Sequence, residues 1–438
     1  MRAGLRSAFL NSTDLEGSIM NDLGPISAVE AVPVAASTVR AEKKTINEPA
    51  PFQVDELFFS RTDQRGVIFT ANEVFQRISG YPWEKVLKAP HRIIRHPDMP
   101  RGRFSLMWDY IKAGKPIGAY VKNCAADGRY YWVFAVVTPA EGGYLSVQFK
   151  PTSPLLAKVE KEYAALRERE RTEELEPEDS ANILIDQLST HGFRDYDHFM
   201  SEALAIEVRA RDEAMNVEAT ADTRRFKELS DIGSTLLEEA QKIERPYKAN
   251  QFVALNMQVR AARLGAAGHS VGVISNNYNQ QSSVMKEEML AFAQGARKLA
   301  SSVARGSFLS MTARLQSELI KQFAEETDLP LDINRDLEVA FMSAQQAGYQ
   351  EEAIKQVAAI AEDTADFFKR TEQMKRLASG LEVVRVMGVI ECYRIGADGK
   401  SLIDVLDDLA NLQREVTEIL GRIDNTNRAL GRLLKTKK

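Results

Sequence analysis

The most regular pattern in the chain lies near its C-terminal end. Apolar side chains recur three and four apart at Leu402, Val405, Leu409, Leu412, Val416, Ile419, Ile423, Leu430 and Leu433, with Thr426 as the polar member. Such a heptad seam predicts a long helix in a coiled coil or four-helix bundle. The preceding stretch from residue 180 is rich in Ala, Glu, Leu and Arg, and it too reads as helix. A different pattern occupies residues 52 to 152. There IGAYVKNCAA, RYYWVFAVVTP and YLSVQFKP are separated by Asp127-Gly128 and Gly142-Gly143. Those glycines supply the positive φ that tight hairpins need, so an antiparallel meander is predicted. Ahead of it, GVIFTAN reads as a further strand that breaks at Asn72. It leads into a short helix, EVFQRISGY, with Val74, Phe75 and Ile78 on one face. The pattern predicts a small antiparallel sheet with helices on one face, enclosing a cleft.

Proline and tryptophan mark the divisions. Thirteen of the 15 prolines lie at or before Pro177, and Trp83, Trp108 and Trp132 share one short stretch. Four pieces follow: a flexible leader over 1–50, the α/β unit over 52–152, a charged connector helix over 153–179, and a helical output region over 180–438. The net charge of −5 offers no basic field for nucleic acid. The longest run of apolar and aromatic residues, Tyr130 to Val137, is far short of the about 20 that a membrane-spanning helix needs. Two cysteines, Cys124 and Cys392, make no disulfide framework, and no secretory signal is evident, which fits a reducing cytoplasm. No phosphate-binding loop or zinc spacing occurs. The chain is therefore expected to act through protein contacts and not as an enzyme.

The segments GVIFTANEVFQRISGY, PHRIIRHPDMP (Pro90 to Pro100), VKN and YYWVFAVVTP together resemble the PAS sensor domain of bacterial aerotaxis receptors, over about 100 residues. The resemblance implies an α+β PAS fold that holds FAD and reports redox state or oxygen. It places Asn72, Arg95, His96, Asp98 and Asn123 at the family's flavin-site positions. Chemistry agrees: a flavin dinucleotide needs an aromatic wall, hydrogen-bonding side chains at the ring edge and cations near the diphosphate. Phe104, Trp108, Tyr131 and Trp132 are candidates for the wall, and Asn72 and Asn123 for the ring edge. Arg95, His96 and Asp98 make the polar cluster. The chain departs from the family at Pro116-Ile117-Gly118, where a tryptophan is usual, and at Cys124 to Asp127, which replaces a basic loop. The alternative is a cofactor-free PAS domain serving an interaction or scaffold protein, dimerising through that fold.

Further on, QFVALNMQVRAARLGAAGHSVGVIS (251–275) resembles the hairpin tip of methyl-accepting chemotaxis proteins, at Ala254-Leu255-Asn256, Ala261-Ala262-Arg263, Gly265 and Gly268. The resemblance implies contact with a chemotaxis coupling protein and histidine kinase, with Asn256 and Arg263 as partner-binding residues. Arg260 stands where the family has glutamate, and that reversed charge favours a divergent output partner. VRAARLGAAG at 259–268 recurs as IECYRIGADG at 390–399. Each copy reads as a helical hairpin, with glycine as the stop and Ser270 or Ser401 starting the next helix. Pro330 separates the hairpins and Pro246 restarts the first arm. The predicted fold class is an α+β PAS domain followed by an all-α bundle of coiled-coil hairpins from one chain.

Overall fold

The computed structural model describes residues 45–263 and 265–435; the rest of the stretch read as a leader lies outside them. Five strands form one antiparallel sheet: β1 (Leu57–Asp63), β2 (Ile68–Ala71), β3 (Ile117–Cys124), β4 (Tyr130–Ala140) and β5 (Gly143–Phe149), in the order β2-β1-β5-β4-β3. The meander is β3-β4-β5, with Gly128 at φ 98° and Gly142 at φ 76° in its turns. Strand β1, between β2 and β5, is an addition to the strands read from the sequence. It ends in a turn where Asp63 accepts from the N–H groups of Arg65 (2.8 Å) and Val67 (2.9 Å), with Gly66 at φ 79°. Residues 46–50 belong with this sheet and not with a leader. Ala50 N–H donates to Tyr130 O (2.7 Å), and Tyr130 N–H donates to Glu48 O (3.0 Å).

The helices are α1 (Glu73–Ser79), α2 (Trp83–Val86), α3 (Arg101–Lys112), α4 (Leu155–Thr172), α5 (Pro177–Thr190), α6 (Tyr196–Ala214), α7 (Ala221–Lys242), α8 (Glu244–Arg263), α9 (His269–Glu325), α10 (Arg335–Ile395) and α11 (Lys400–Lys435). Both faces of the sheet are covered, not one. On the inner face Phe58, Tyr131, Val133 and Ala135 pack with Phe75, Ile78, Val86 and Ile94 from the α1–α2 region. On the outer face Phe59, Tyr120, Phe134, Val147 and Phe149 pack against α4, α6 and the end of α9. Phe323 tilts over Phe59 at 5.1 Å, and a Cβ at Gly118 would lie 2.9 Å from Phe308. The connector folds back on the sheet. Glu170 of α4 accepts from Gly102 N–H (3.0 Å) and Ser180 Oγ (2.6 Å), tying α3, α4 and α5 together. Pro177 opens α5 at its first position, where a missing N–H costs nothing.

The remaining helices make a four-membered bundle within one chain, with α7 and α8 sharing one arm. Both turns, Gly265–Gly268 and Gly396–Gly399, are single 3₁₀ turns at the same end. The first arm breaks at Ile243, so Pro246 falls in the first turn of α8. Interhelical contacts include the stacked Phe292–Phe367 pair (4.7 Å), Lys298–Asp363 (2.7 Å) and Arg422–Glu239 (2.9 Å). The seam of α11 differs from the heptad reading. Gln413 is buried where Leu412 was expected, and donates to Tyr278 Oη (3.0 Å); Asn427 is buried in place of Thr426. An α-helix drifts against a strict seven-residue repeat, so the buried stripe moves by one position. Gly268, not Ser270, caps α9, and Ser401 lies inside α11. Among the described residues no helix is long and apolar enough to cross a membrane.

Two glycines probe this bundle in opposite directions. A Cβ at Gly399 would lie 2.2 Å from the Cys392 carbonyl oxygen, whereas one at Gly421 meets nothing within 4 Å. In chemical denaturation, Gly421→Ala should gain about 0.5–1 kcal/mol through lower backbone entropy in the unfolded chain. Gly399→Ala should lose about 1–3 kcal/mol through overpacking at the turn.

Candidate functional site

Asn72 follows β2 in an extended conformation and caps α1. Its Oδ1 accepts from Phe75 N–H (3.1 Å) and Phe59 N–H (2.9 Å), and its Nδ2 donates to Leu57 O (2.8 Å). The side chain is thus committed to fastening α1 onto β1. Strands β1, β5 and β4 lie between β2, which it follows, and Asn123 on β3, so the two asparagines do not address one ring edge together.

The polar cluster assembles at the other edge of the sheet. After the 3₁₀ turn His91–Ile94, Arg95 bridges Asn123 and His96 N–H donates to Lys122 O (3.3 Å), which closes the free edge of β3. His96 is buried, and its Nδ1 accepts from Asp98 N–H (3.1 Å). Asp98 accepts from Lys122 Nζ (2.8 Å). Burial pushes the Asp98 carboxyl up, but that bond and the charges of Lys122 and Arg167 hold it below its ordinary value. The Arg95 guanidinium lies 3.5 Å from the centre of the Phe104 ring. Arg95, His96, Asp98, Phe104 and Asn123 are therefore brought together.

The two tryptophans are not. Trp132 lies beside Tyr131 on β4 and so points to the outer face, where it packs on Tyr163 of α4 at 6.2 Å. Trp108 stands edge-on to Tyr144 at 5.6 Å and covers Gly66. Tyr144 pairs with Pro139 and Asn123 with Tyr131, eight residues apart on β4. That is roughly 27 Å of strand at about 3.4 Å per residue. Of the expected wall of Phe104, Trp108, Tyr131 and Trp132, this site keeps Phe104 and Tyr131.

Phe58 and Gln148 join them on the inner face. Tyr131 stacks on Phe58 at 5.6 Å, and Gln148 pairs with Phe58 across the sheet while donating to Ser146 Oγ (2.9 Å). Asn123 Nδ2, Tyr131 Oη and Gln148 Oε1 are all buried without a hydrogen-bond partner. Buried polar atoms left unpaired are costly, so one donor, one hydroxyl and one acceptor on an apolar face call for polar atoms from a ligand or water. Gln148 was missed: in GYLSVQF it is a polar strand residue like Ser146, and no adjacent residue marks it as buried. His91 was missed as well: its Nε2 lies 3.2 Å from Ser60 Oγ, and its ring edge meets Phe75.

Residues 68–147 match the model of the PAS fold family. The aerotaxis receptor of Escherichia coli (strain K12) is 39% identical over 121 residues, which are 26% of this chain and 24% of the receptor. The chain thus matches about a quarter of that relative's length. Among solved structures, the PAS domain of a Colwellia psychrerythraea protein is 18% identical, covering 22% of this chain and 85% of its own, with a TM-score of 0.19. A light–oxygen–voltage domain studied with a flavin analogue is 22% identical, covering 24% and 83%, with a TM-score of 0.21. The five-stranded unit is a PAS domain. The candidate partner residues Asn256 and Arg263 lie elsewhere, both exposed on α8 beside the first bundle turn.

Burial, and next the charge of Arg95, lower the His91 pKa to about 4 from 6.5. Between those values the unfolded chain binds more protons than the folded one. Stability should therefore fall as pH drops from 6.5 towards 4, by no more than about 3 kcal/mol, and this component should level off below. Urea denaturation at stepped pH checks this, and His91→Gln should flatten the slope in that window.

Proposed function

We propose that this chain is a signal-transduction sensor whose PAS domain holds FAD and responds to redox state or oxygen, with output through protein contacts of the helical bundle and not through catalysis. One observation carries the reading: the segment 39% identical to an aerotaxis receptor is the segment whose inner face leaves Asn123 Nδ2, Tyr131 Oη and Gln148 Oε1 unpaired. A bound flavin supplies a ring whose charge and hydrogen bonding change with its redox state. Asn123 would donate to the ring edge and Gln148 would accept from it, while Arg95 and Phe104 close the side next to β3.

The way out of the domain runs through β3. Asn123 faces inward, and three residues earlier Tyr120 faces outward, where its hydroxyl donates to Glu207 of α6 (2.7 Å). Glu207 is fully buried and also accepts from Thr152 N–H (2.8 Å), Ser153 N–H (3.0 Å) and Ser153 Oγ (2.5 Å). Burial, then the Glu207 carboxylate, push the Tyr120 phenol well above its ordinary pKa, so it stays a donor. A change in β3 pairing would thus reach α6 and the start of α4 together. From α6 it passes to α9 through Ser201 Oγ, which donates to Ala304 O (2.5 Å), and through Arg211–Glu318 (2.6 Å). We place output at the exposed distal end, at Asn256 and Arg263, towards a chemotaxis coupling protein or a divergent partner. The outer sheet face is already covered, which leaves the α1–α2 side for any PAS homodimer.

The stacked Phe58 and Tyr131 favour a second reading, a cofactor-free scaffold, because they fill part of the inner face. Absorbance separates the two. Purified protein incubated with FAD should retain it through gel filtration, and Asn123→Leu or Gln148→Leu should lose it without losing the helical circular dichroism. Failure of the parent protein to retain FAD overturns the flavin sensor. Tyr120→Phe should keep FAD and cost about 1–3 kcal/mol of stability. It should also abolish any redox-dependent change in hydrogen exchange of α6.

A further inference from the structure

Apart from the flavin reading, helices α4, α5 and α6 enclose a pocket of ≈ 360 Å³. Small-molecule sites typically span about 300–1,000 Å³. Its floor is apolar and mostly buried, made by Val159 and Tyr163 of α4, Leu184 and Leu188 of α5, and Tyr196 and Phe199 of α6. The two phenol hydroxyls are already used, Tyr163 donating to Tyr120 O (3.3 Å) and Tyr196 to Gly118 O (3.1 Å). To an occupant these residues therefore offer ring surface.

The polar atoms at the rim are unevenly matched. His191 pairs with Glu162 (3.0 Å), but Lys158 and Arg209 are exposed and have no ion-pair partner among the described residues. Gln187 Oε1 is buried against the pocket without a hydrogen-bond partner. Beside the Tyr163 and Tyr196 phenols lies Arg103, fully buried, its positive charge next to the Tyr163 hydroxyl oxygen. The pocket thus combines aromatic surface, unneutralised positive charge and one orphaned acceptor.

We propose that this pocket binds an aromatic monocarboxylate carrying a ring N–H or O–H. The ring system lies on the aromatic floor, the carboxylate pairs with Lys158 and Arg209, and the ring donor bonds Gln187 Oε1. Because α4 leaves the sheet and α6 carries Glu207, an occupant braces the helices that link the PAS domain to the bundle. The site is a second, chemical input, independent of any flavin.

Isothermal titration of the full chain with indole-3-acetate tests the assignment, alongside two partial mimics. Indole-3-acetamide keeps the N–H and loses the charge, and naphthalene-1-acetate keeps the charge and loses the N–H. One indole-3-acetate per chain should bind saturably, and more tightly than either mimic. Lys158→Glu/Arg209→Glu, at exposed positions, should weaken indole-3-acetate about tenfold and leave the amide unchanged. Gln187→Leu should erase the advantage of indole over naphthalene. Thermal melts confirm that the variants are folded. No saturable binding of indole-3-acetate, or binding indifferent to both variants, overturns the proposal.

Discussion

A five-stranded sheet with apolar side chains on both faces cannot stand with one face in water. The inner face is covered locally by α1, α2 and α3. The outer face, with Phe59, Tyr120, Phe134, Val147 and Phe149, has to be covered by something more distant, and here the cover is the chain's own α4, α6 and α9. Each such side chain gains roughly 1.5–3 kcal/mol on burial, so the docking of helices onto this face is a main source of stability. The PAS domain and the helical region consequently share one core instead of being joined by a linker.

That shared core contains charge, and ion pairs tie it together at the junction with α6, α9 and α10. Arg211 of α6 is buried, donates to the carbonyls of Val54 (2.9 Å) and Asp55 (3.0 Å), and pairs with Glu318 of α9 (2.6 Å). Arg314 reaches back from α9 to Asp212. Glu338 at the start of α10 accepts from Thr70 of β2 (3.2 Å) and pairs with Arg61 of β1 (3.1 Å). Removing one member would strand a buried partner, which costs more than the pair itself contributes. Such a junction favours discrete arrangements over gradual bending, as two-state signalling requires. Helix α9 carries the consequence outward: 57 residues at about 1.5 Å each span roughly 85 Å from the distal turn to the sheet.

Much of this was legible locally. The hairpin glycines, the helix after Asn72 and the two bundle turns follow from backbone preferences of a few adjacent residues, which no tertiary context has to supply. The His96–Asp98 turn and its neighbour Asn123 were marked by their family resemblance. Strand β1 was missed because its signal is an Asp63 side-chain turn and not a glycine pair. Gln148 and His91 were missed because a polar residue in a strand or loop looks the same from the sequence whether it faces water or a core.

Local chain chemistry accounts for the helices, the β3-β4-β5 hairpins, the single-chain pair of helical arms and the residues grouped around Pro90 to Pro100. These depend on φ preferences and on periodicity, both local. Long-range packing selects which parity of β4 points inward, and so puts Trp132 on the outer face and Tyr131 beside Asn123. Alternation alone places neighbours on opposite faces without saying which face is which. It likewise decided that Asn72 fastens backbone, that Gln413 replaces Leu412 in the seam, and that α4, α5 and α6 leave a pocket between them. Each of these depends on where a distant segment packs, and that is settled by burying the sheet's second face.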